Sequence, residues 1–233
     1  MTTKLKIDFV EYAAAKYAVE HWHYSRRMPT GKMVRLGVWE NDQFIGVVIF
    51  SRGATGNIGR PYGLPQTRIC ELTRIALRKH VTPVTRIVRI ALKELKRTSP
   101  GMELVVSYAD ADQGHTGAIY RAGNWIYEGL KNPGTMVAFR IHGKRVHPKT
   151  LHSKYGHGAQ SLEWIREHLD PNAERIIGLG KHKYLYPLTG TMRATILSRA
   201  GSVDSDTSDV QSGMAGANPS PALNDQNKVG VSQ

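Results

Sequence analysis

The stretch that decides the fold runs from Arg68 to Gly129. It reads RICELTRIAL, then HVTPVTRIVRIALKEL, then ELVVSYADADQG, then HTGAIYRAGNWIYEG. Polar and apolar residues alternate through Ile69–Leu77, and apolar residues recur at helical spacing from Val84 to Leu95. The pattern predicts a strand, a helix, a strand, a helix and a further strand. An ordinary βαβα core with no site would show the same pattern.

The start of the first of these helices is a candidate phosphate site. Thr82 is a plausible N-cap and Pro83 fits the first helical position. A helix that opens directly after a buried strand points free N–H groups at the cleft, where a phosphate is the usual guest. The segment from His80 to Thr85 contains no glycine, so the usual glycine-rich phosphate loop is missing. A pyrophosphate would then depend on helix N–H groups, the Thr82 and Thr85 hydroxyls and Arg86.

The charge of the chain favours a polyanionic partner. The 233 residues carry a net charge of +13. Four Asp and one Lys give residues 203–233 a net charge of −3, so the remainder carries +16. Nucleic acid is the first candidate for so basic a domain, although a solvated basic surface would have the same composition. The single cysteine, Cys70, fits a reducing cytoplasm, and no apolar run approaches the roughly 20 residues that a membrane helix needs.

The remaining sequence suggests a core, an insertion and a tail. Asp8 and Glu11 resemble a capping box for a first helix over Asp8–His23. The glycine-rich loop Ser51–Pro65 reads either as a lid or as a flexible connector. We expect a catalytic core over 1–142, an insertion with a final strand over 143–202, and a disordered tail over 203–233. Further strands are expected at Val34–Val38, Phe44–Phe50, Met136–His142 and Lys183–Leu188, and further helices at Thr116–Gly123 and near Gln160–His168.

The order of these segments resembles the acyl-CoA-binding half of a GNAT-type N-acyltransferase. The expected fold is therefore GNAT-like α/β, with a mixed central sheet flanked by helices. Acyl transfer to an amine needs a group that takes the amine proton and an acid for the leaving thiolate. In GNAT enzymes a tyrosine placed like Tyr120 commonly supplies that acid, and Asp110 follows a core strand at the same opening. The alternatives are core packing for Tyr120, a turn cap for Asp110 and a surface position for His23.

Together the motifs resemble the phage Mom family of DNA-modifying proteins, a divergent GNAT branch. The resemblance covers about residues 20–140, with a weaker match at Lys183–Leu188. Its motifs are HYS at His23–Ser25, LGV at Leu36–Val38, ELTR at Glu71–Arg74, TR at Thr85-Arg86, VVSYAD at Val105–Asp110 and AIYRAGNW at Ala118–Trp125.

The resemblance implies a phage enzyme that acts in the host cytoplasm on double-stranded DNA. Members of the family add a methylcarbamoyl-type group to the exocyclic amine of adenine, which protects the genome from restriction. Acetyl-CoA or a related acyl-CoA is the implied donor, and iron held by His23, Tyr24 and Asp110 is an implied activating centre. The implied catalytic residues are His23, Tyr24, Arg74, Asp110 and Tyr120. The implied cofactor-binding residues are Ile75, Leu77, Thr82, Thr85, Arg86 and Tyr120.

Two other functions remain open from the sequence. One is a GNAT N-acetyltransferase that acts on protein, tRNA or small-molecule amines. The other is a non-catalytic DNA-binding module on a degenerate GNAT scaffold. A basic stripe on the helix after Pro83 fits either a phosphate-tracking surface or a solvated face; it consists of Arg86, Arg89, Lys93, Lys96 and Arg97.

Overall fold

A computed structural model of the chain describes the backbone of residues 3–53 and 56–206, and side chains as far as residue 199. The predicted tail lies outside the described residues from 207 onward. The strands are β1 (Leu5–Phe9), β2 (Met33–Glu40), β3 (Gln43–Ser51), β4 (Ile69–Leu77), β5 (Leu104–Asp110), β6 (Ile126–Lys131), β7 (Met136–Ile141), β8 (Lys144–Val146), β9 (Glu174–Gly178) and β10 (Lys181–Pro187). The helices are α1 (Tyr12–Trp22), α2 (Val84–Thr98), α3 (Ala118–Ala122), α4 (Pro148–Tyr155), α5 (Leu162–His168) and α6 (Gly190–Asp206).

Seven strands form the central sheet in the order β1-β2-β3-β4-β5-β10-β6. Neighbours are antiparallel except β4 and β5, which are parallel and pair only from Ile69 with Leu104 to Glu71 with Val106. Beyond that point β4 continues to Leu77 and β5 to Asp110 without pairing to each other, so the two strands diverge. This mixed sheet, with its diverging parallel pair and its last strand inserted beside β5, confirms the predicted GNAT-like α/β fold.

Helices cover both faces of the central sheet. Along β3, Val47 and Ile49 pack with α1, whereas Val48 and Phe50 join the cluster that buries α2. Successive side chains of a strand point to opposite faces, so one apolar strand supplies both layers of core. The strands β4 and β5 therefore belong to a sheet that is packed on both faces.

A second, three-stranded sheet has the order β8-β7-β9 and carries α4 and α5. Its core is formed by Phe139, Ile141, Leu151, Ile165 and Ala173, each at most 8% exposed. β7 was predicted at Met136–His142, and its strand character is confirmed, but it belongs to this small sheet. The sequence did not indicate α4, because Leu151 is its one buried apolar residue and no helical periodicity results.

The start of the chain differs from the prediction. Residues Leu5–Phe9 form an edge strand, so Asp8 and Phe9 belong to a strand and not to the predicted helix, and α1 begins at Tyr12. Leu5 and Ile7 alternate with polar residues and pack against the main core, which favours the strand. Asp8 accepts a hydrogen bond from the Phe9 N–H and pairs with Lys6, so the expected capping box with Glu11 does not form.

Two other boundaries move by a few residues. Pro83, not Thr82, is the N-cap of α2, and the helix begins at Val84. α3 begins at Ala118, after Gly117 in a left-handed conformation (φ +74°). A Cβ at Gly117 would overlap the ring of Tyr184, so both the backbone angle and the close approach require glycine. Within the described ranges, no helix is long and apolar enough to span a membrane.

Candidate active site

A cleft of about 630 Å³ opens where β4 and β5 diverge. One wall is β4 from Glu71 to Ile75, and the other is the end of β5 from Tyr108 to Asp110. The loop from Gly114 and the first residues of α3 form the floor, and the end of α1 with the residues that follow it forms the rim. Lys181 of β10 completes the lining. Residues from five separate segments of the chain therefore meet at one opening.

Five predicted catalytic residues line this cleft: His23, Tyr24, Arg74, Asp110 and Tyr120. Ile75, predicted to bind the cofactor, lines it as well. The pairs His23-Tyr24 and Asp110-Tyr120 are far apart in sequence, and the fold brings them to the same space. Their chemical roles remain predictions.

His23 caps the C-terminal end of α1, and its ring is partly buried. The Ser25 backbone N–H lies 3.1 Å from Nδ1, and the Ser25 hydroxyl lies 2.8 Å from the same atom. A backbone N–H can only donate, so Nδ1 is an acceptor and the neutral ring carries its proton on Nε2. Burial, followed by the charges of Arg74 and His115, lowers the pKa of His23 to about 4. The imidazole is therefore neutral at ordinary pH, with its proton on Nε2.

Tyr24 stands at the mouth of the cleft and is 54% exposed. Its ring lies 4.4 Å from the ring of His23 and 5.2 Å, edge-on, from that of His115. Partial burial, followed by the negative charge of Asp110, raises the pKa of its hydroxyl. Tyr24 therefore presents a neutral phenol and a partly open aromatic face.

Arg74 is positioned by two backbone carbonyls. Its Nε donates to the Arg27 carbonyl at 2.9 Å, and its Nη1 donates to the Thr73 carbonyl at 2.7 Å. Burial lowers the pKa of its guanidinium, but an arginine stays protonated in proteins. The guanidinium is thus a fixed positive charge between the rim and β4.

Asp110 ends β5 and lines the cleft, and it also has a local structural role. Its Oδ1 accepts from the Asp112 N–H at 3.1 Å and caps the short turn that follows the strand. The alternative foreseen for this residue, a turn cap, is therefore present. The two roles are compatible, since a carboxylate has two oxygens and several lone pairs.

Tyr120 is only 8% exposed, and its hydroxyl lies 2.8 Å from Ser107 Oγ. The Ser107 hydroxyl also lies 2.9 Å from the Leu72 carbonyl, which can only accept. The Ser107 hydroxyl has one proton and can donate it to only one of these two oxygens. When it donates to the Leu72 carbonyl, its own oxygen accepts a hydrogen bond from the Tyr120 hydroxyl. Burial raises the pKa of Tyr120 to about 12. The phenol is therefore protonated at ordinary pH, as an acid must be before it acts.

Four titratable residues of the cleft lining were not among the predicted site residues: Glu71, Tyr108, His115 and Lys181. Glu71 stood in the quoted ELTR motif, so its position was a signal that the prediction passed over. Its charge, after burial, raises the pKa of Tyr108 to about 12, which marks the carboxylate as close to the cleft hydroxyls. His115 and Lys181 had no signal of their own, because loop geometry and the placement of β10 bring them in.

The start of α2 does not match the predicted phosphate site. The Thr82 N–H and hydroxyl donate to Glu40 Oε1 at 2.7 and 2.6 Å, and the Val81 N–H donates to Glu40 Oε2 at 2.9 Å. A carboxylate of the chain thus occupies the position expected for a pyrophosphate oxygen. These hydrogen bonds lower the pKa of Glu40, the one from the Thr82 side chain most strongly. The predicted role of Thr82 is corrected, since its donors are already used.

The other predicted cofactor residues lie outside the cleft lining. Leu77 packs against the main hydrophobic cluster, Thr85 is half-buried in the first turn of α2, and Arg86 is exposed. Of the basic stripe on α2, Lys96 donates to two nearby backbone carbonyls and Arg97 pairs with Glu94. The stripe therefore offers fewer free cations than its sequence suggested.

The three residues implied to hold iron, His23, Tyr24 and Asp110, line the same cleft. Among the described residues, no three His, Cys, Asp or Glu side chains are grouped so as to hold a metal ion. Nδ1 of His23 is occupied by Ser25, and Nε2 carries the ring proton. The role of His23, Tyr24 and Asp110 as iron ligands therefore remains a prediction.

Solved acyltransferases resemble the chain only remotely. FeeM, an N-acyl amino acid synthase from uncultured soil microbes, is 10% identical with a TM-score of 0.46, covering 83% of this chain and 95% of that one. An acetyltransferase of Bacillus subtilis in complex with CoA is 10% identical with a TM-score of 0.41, covering 80% and 100%. These likenesses carry no argument about substrate.

The sequence relationship is more specific. The chain is 25% identical over 187 residues to methylcarbamoylase mom of Escherichia phage Mu, covering 78% of this chain and 74% of that protein. The model of the Mom protein family matches residues 4–202, which include every residue of the cleft. The chain therefore belongs to the Mom protein family.

Proposed function

We propose that this chain is an acyltransferase-like enzyme that modifies the exocyclic amine of adenine in double-stranded DNA, with a CoA thioester as donor. The observation that carries the proposal is the convergence of His23, Tyr24, Arg74, Asp110 and Tyr120 on the cleft between β4 and β5. Family membership supports the same conclusion, because the relative from phage Mu is named as a methylcarbamoylase.

The donor arm is proposed to lie along β4. Beyond Glu71 the edge of β4 that faces β5 is not paired with β5. Backbone N–H and C=O groups along such an edge can form hydrogen bonds with a ligand. An extended amide-bearing arm of CoA supplies both donors and acceptors to this edge. The volume of about 630 Å³ lies in the range of small-molecule sites. The thioester would then end beside Tyr120.

The transfer step follows from the groups that the cleft offers. The adenine nitrogen attacks the thioester carbonyl carbon, a C–N bond forms, and the C–S bond breaks. Glu71 or Asp110 takes the proton that leaves the nitrogen. The thiolate takes a proton from Tyr120, whose raised pKa of about 12 keeps the phenol protonated until then. Neutral His23 contributes its Nε2–H as a donor to the developing oxyanion or to the base.

The proposal extends to the identity of the group that adenine receives and to its effect on restriction nucleases. The family resemblance implies that the group finally carried by adenine is of the methylcarbamoyl type, and that it protects phage DNA from restriction nucleases. The transfer step delivers that group only from a thioester that already carries it, because an acetyl thioester would give a plain amide. A substituent on the exocyclic amine projects into the major groove, where such nucleases read adenine. DNA that carries it should resist cleavage at adenine-containing sites.

The test is mass spectrometry of nucleosides from cells that express the chain. A modified deoxyadenosine, absent from cells that express Asp110→Ala, would support the proposal. Unaltered DNA with newly acetylated protein or tRNA would favour a GNAT acetyltransferase of another specificity. Unaltered nucleosides together with tight, salt-sensitive DNA binding would favour a non-catalytic DNA-binding module.

A further inference from the structure

The small sheet and α4 form a concentrated patch of positive charge. Between Glu128 and Glu163 the chain contains no acidic residue. The same stretch contains six Lys or Arg, of which Lys144, Arg145, Lys149 and Lys154 fall on β8 and α4. All four residues are exposed, although the side chain of Arg145 is partly covered by its ion pair with Asp112. We call these four residues, together with Lys181, the cationic surface.

Charges of this surface come together around one histidine. The pKa of His147 is lowered by partial burial and then by the charges of Lys149, Lys181 and Arg145. Three cations from α4, β10 and β8 therefore lie within electrostatic reach of one ring. Of these, Lys181 also lines the cleft, so the surface continues to the edge of the active site.

Direct contacts fix the surface against the cleft rim. Arg145 pairs with Asp112 at 2.7 Å, and Asp112 follows the cleft residue Asp110 by two positions. The other oxygen of Asp112 accepts from the Leu179 N–H at 2.9 Å. On the rim, Arg27 donates to Thr150 of α4 at 3.4 Å, and its carbonyl accepts from Arg74. The small sheet and α4 are therefore tied to the residues that position the cleft.

We propose that the cationic surface docks the phosphate backbone of double-stranded DNA and so presents an adenine to the adjacent cleft. This inference rests on the proposed function and assigns the substrate-binding role to β8 and α4. Lys and Arg along a rigid element are the usual means of tracking a duplex, and phosphate contacts fix register without reading sequence. Lys181 of the cationic surface lines the cleft, whereas none of the five stripe residues of α2 is among the cleft-lining residues.

The test compares two sets of variants that remove equal charge. One set is Lys144→Gln and Lys149→Gln combined; the matched control is Arg89→Gln and Lys93→Gln combined, two exposed cations of α2. Fluorescence anisotropy over a range of salt concentrations gives affinity for a duplex and the slope of log K against log salt. Removal of a lysine that touches a phosphate should reduce the steepness of that slope by about one.

The proposal predicts a shallower slope and weaker binding for the first set, with the control close to the parent. Binding of CoA, measured by calorimetry, should be unaltered in both sets, which separates docking from the cleft. A decrease confined to the α2 set, or equal decreases in both, would overturn the assignment of the surface. A parent protein that modifies DNA while the first set binds normally also overturns it, whereas a parent that neither binds nor modifies DNA overturns the proposed function itself.

Discussion

The titratable residues of the cleft differ in the proton-transfer roles that their hydrogen bonds and burial allow. His23 was predicted as a catalytic residue and an implied iron ligand, and its hydrogen bonds with Ser25 leave the proton of the neutral ring on Nε2. Tyr120, by contrast, has the environment of an acid, because it is buried, protonated and bonded to Ser107. Glu71 and Asp110 are the carboxylates available for the amine proton. The division of roles thus follows from local hydrogen bonding, which residue identity alone does not reveal.

The protonation of His23 is a prediction at this scale. NMR titration should give a pKa of about 4 with the proton of the neutral ring on Nε2. Because this value is lower than the 6.5 of an unfolded histidine, folding stability should decrease as the pH falls from 6.5 towards the folded value. Arg74→Gln should raise the pKa of His23 by removing a nearby positive charge, whereas Arg78→Gln, which removes a side chain bonded to Gln43 instead, should leave it unchanged. A pKa near 6.5, or a proton on Nδ1, would contradict the geometry.

Tyr120→Phe tests the proposed acid. Replacement of the hydroxyl should leave the fold and CoA binding intact and slow turnover by roughly 10²–10⁴-fold, the usual contribution of a positioned acid. Ser107→Ala is the matched control, because it removes the partner of the phenol but not the phenol, and a smaller decrease is expected. Steady-state kinetics with CoA release as the readout decides the matter. Equal rates for Tyr120→Phe and the parent would remove Tyr120 from the mechanism.

At the level of elements, the carboxylate of Glu40 is expected to stabilise the start of α2. Glu40 accepts three hydrogen bonds from Val81 and Thr82, and Gln in its place has one oxygen acceptor and no charge. Glu40→Gln should therefore lower the melting temperature at pH 7. The pKa of Glu40 is lowered, so its contribution is present in full above the ordinary value of 4.5 and is lost as the pH falls through the folded value. The difference between variant and parent should shrink accordingly below that pH, and a difference independent of pH would argue against the charged cap. Glu20→Gln, on an exposed ion pair of α1, is the control.

The divergence of β4 and β5 gives a second prediction about elements. If an arm of CoA lies between them, its binding should slow hydrogen exchange at residues 72–77 of β4. The small sheet, for example β7, should be unaffected and serves as the internal control. Exchange measured by mass spectrometry with and without CoA gives the answer. Slowing confined to the first turn of α2 would place the ligand elsewhere.

Periodicity in the sequence was enough to predict β4, α2, β5 and the strand at β10, because each is long and strongly patterned. It failed at β1, where the predicted helix began at Asp8 and the alternation of Leu5 and Ile7 before it was not used, and at α4, which has one buried apolar residue. The contact between Glu40 and Thr82 joins residues 42 positions apart, so no local pattern reveals it. Motifs identified five residues that share one cleft, whereas His115 and Lys181 depended on the folded arrangement of loop and strand.

The whole molecule combines a small-molecule cleft with a strongly basic body. Residues 1–202 carry a net charge of +16, and a concentrated part of it adjoins the cleft on β8 and α4. Affinity for duplex DNA should therefore fall by roughly a thousandfold or more as salt rises from about 50 to about 200 mM, as expected for several phosphate contacts. A protein whose DNA affinity is independent of salt would not fit this charge distribution.

The central claim is that the cleft transfers a group from a CoA thioester to the exocyclic amine of adenine in DNA. The most direct measurement is the rate of CoA thiol release by the purified protein with two duplexes of otherwise equal sequence. One contains adenine, and in the other every adenine is replaced by hypoxanthine, which lacks the amine. We predict release that depends on the adenine duplex and is accompanied by transfer of the group to DNA. Equal release with both duplexes, or release that requires no DNA, would contradict the claim.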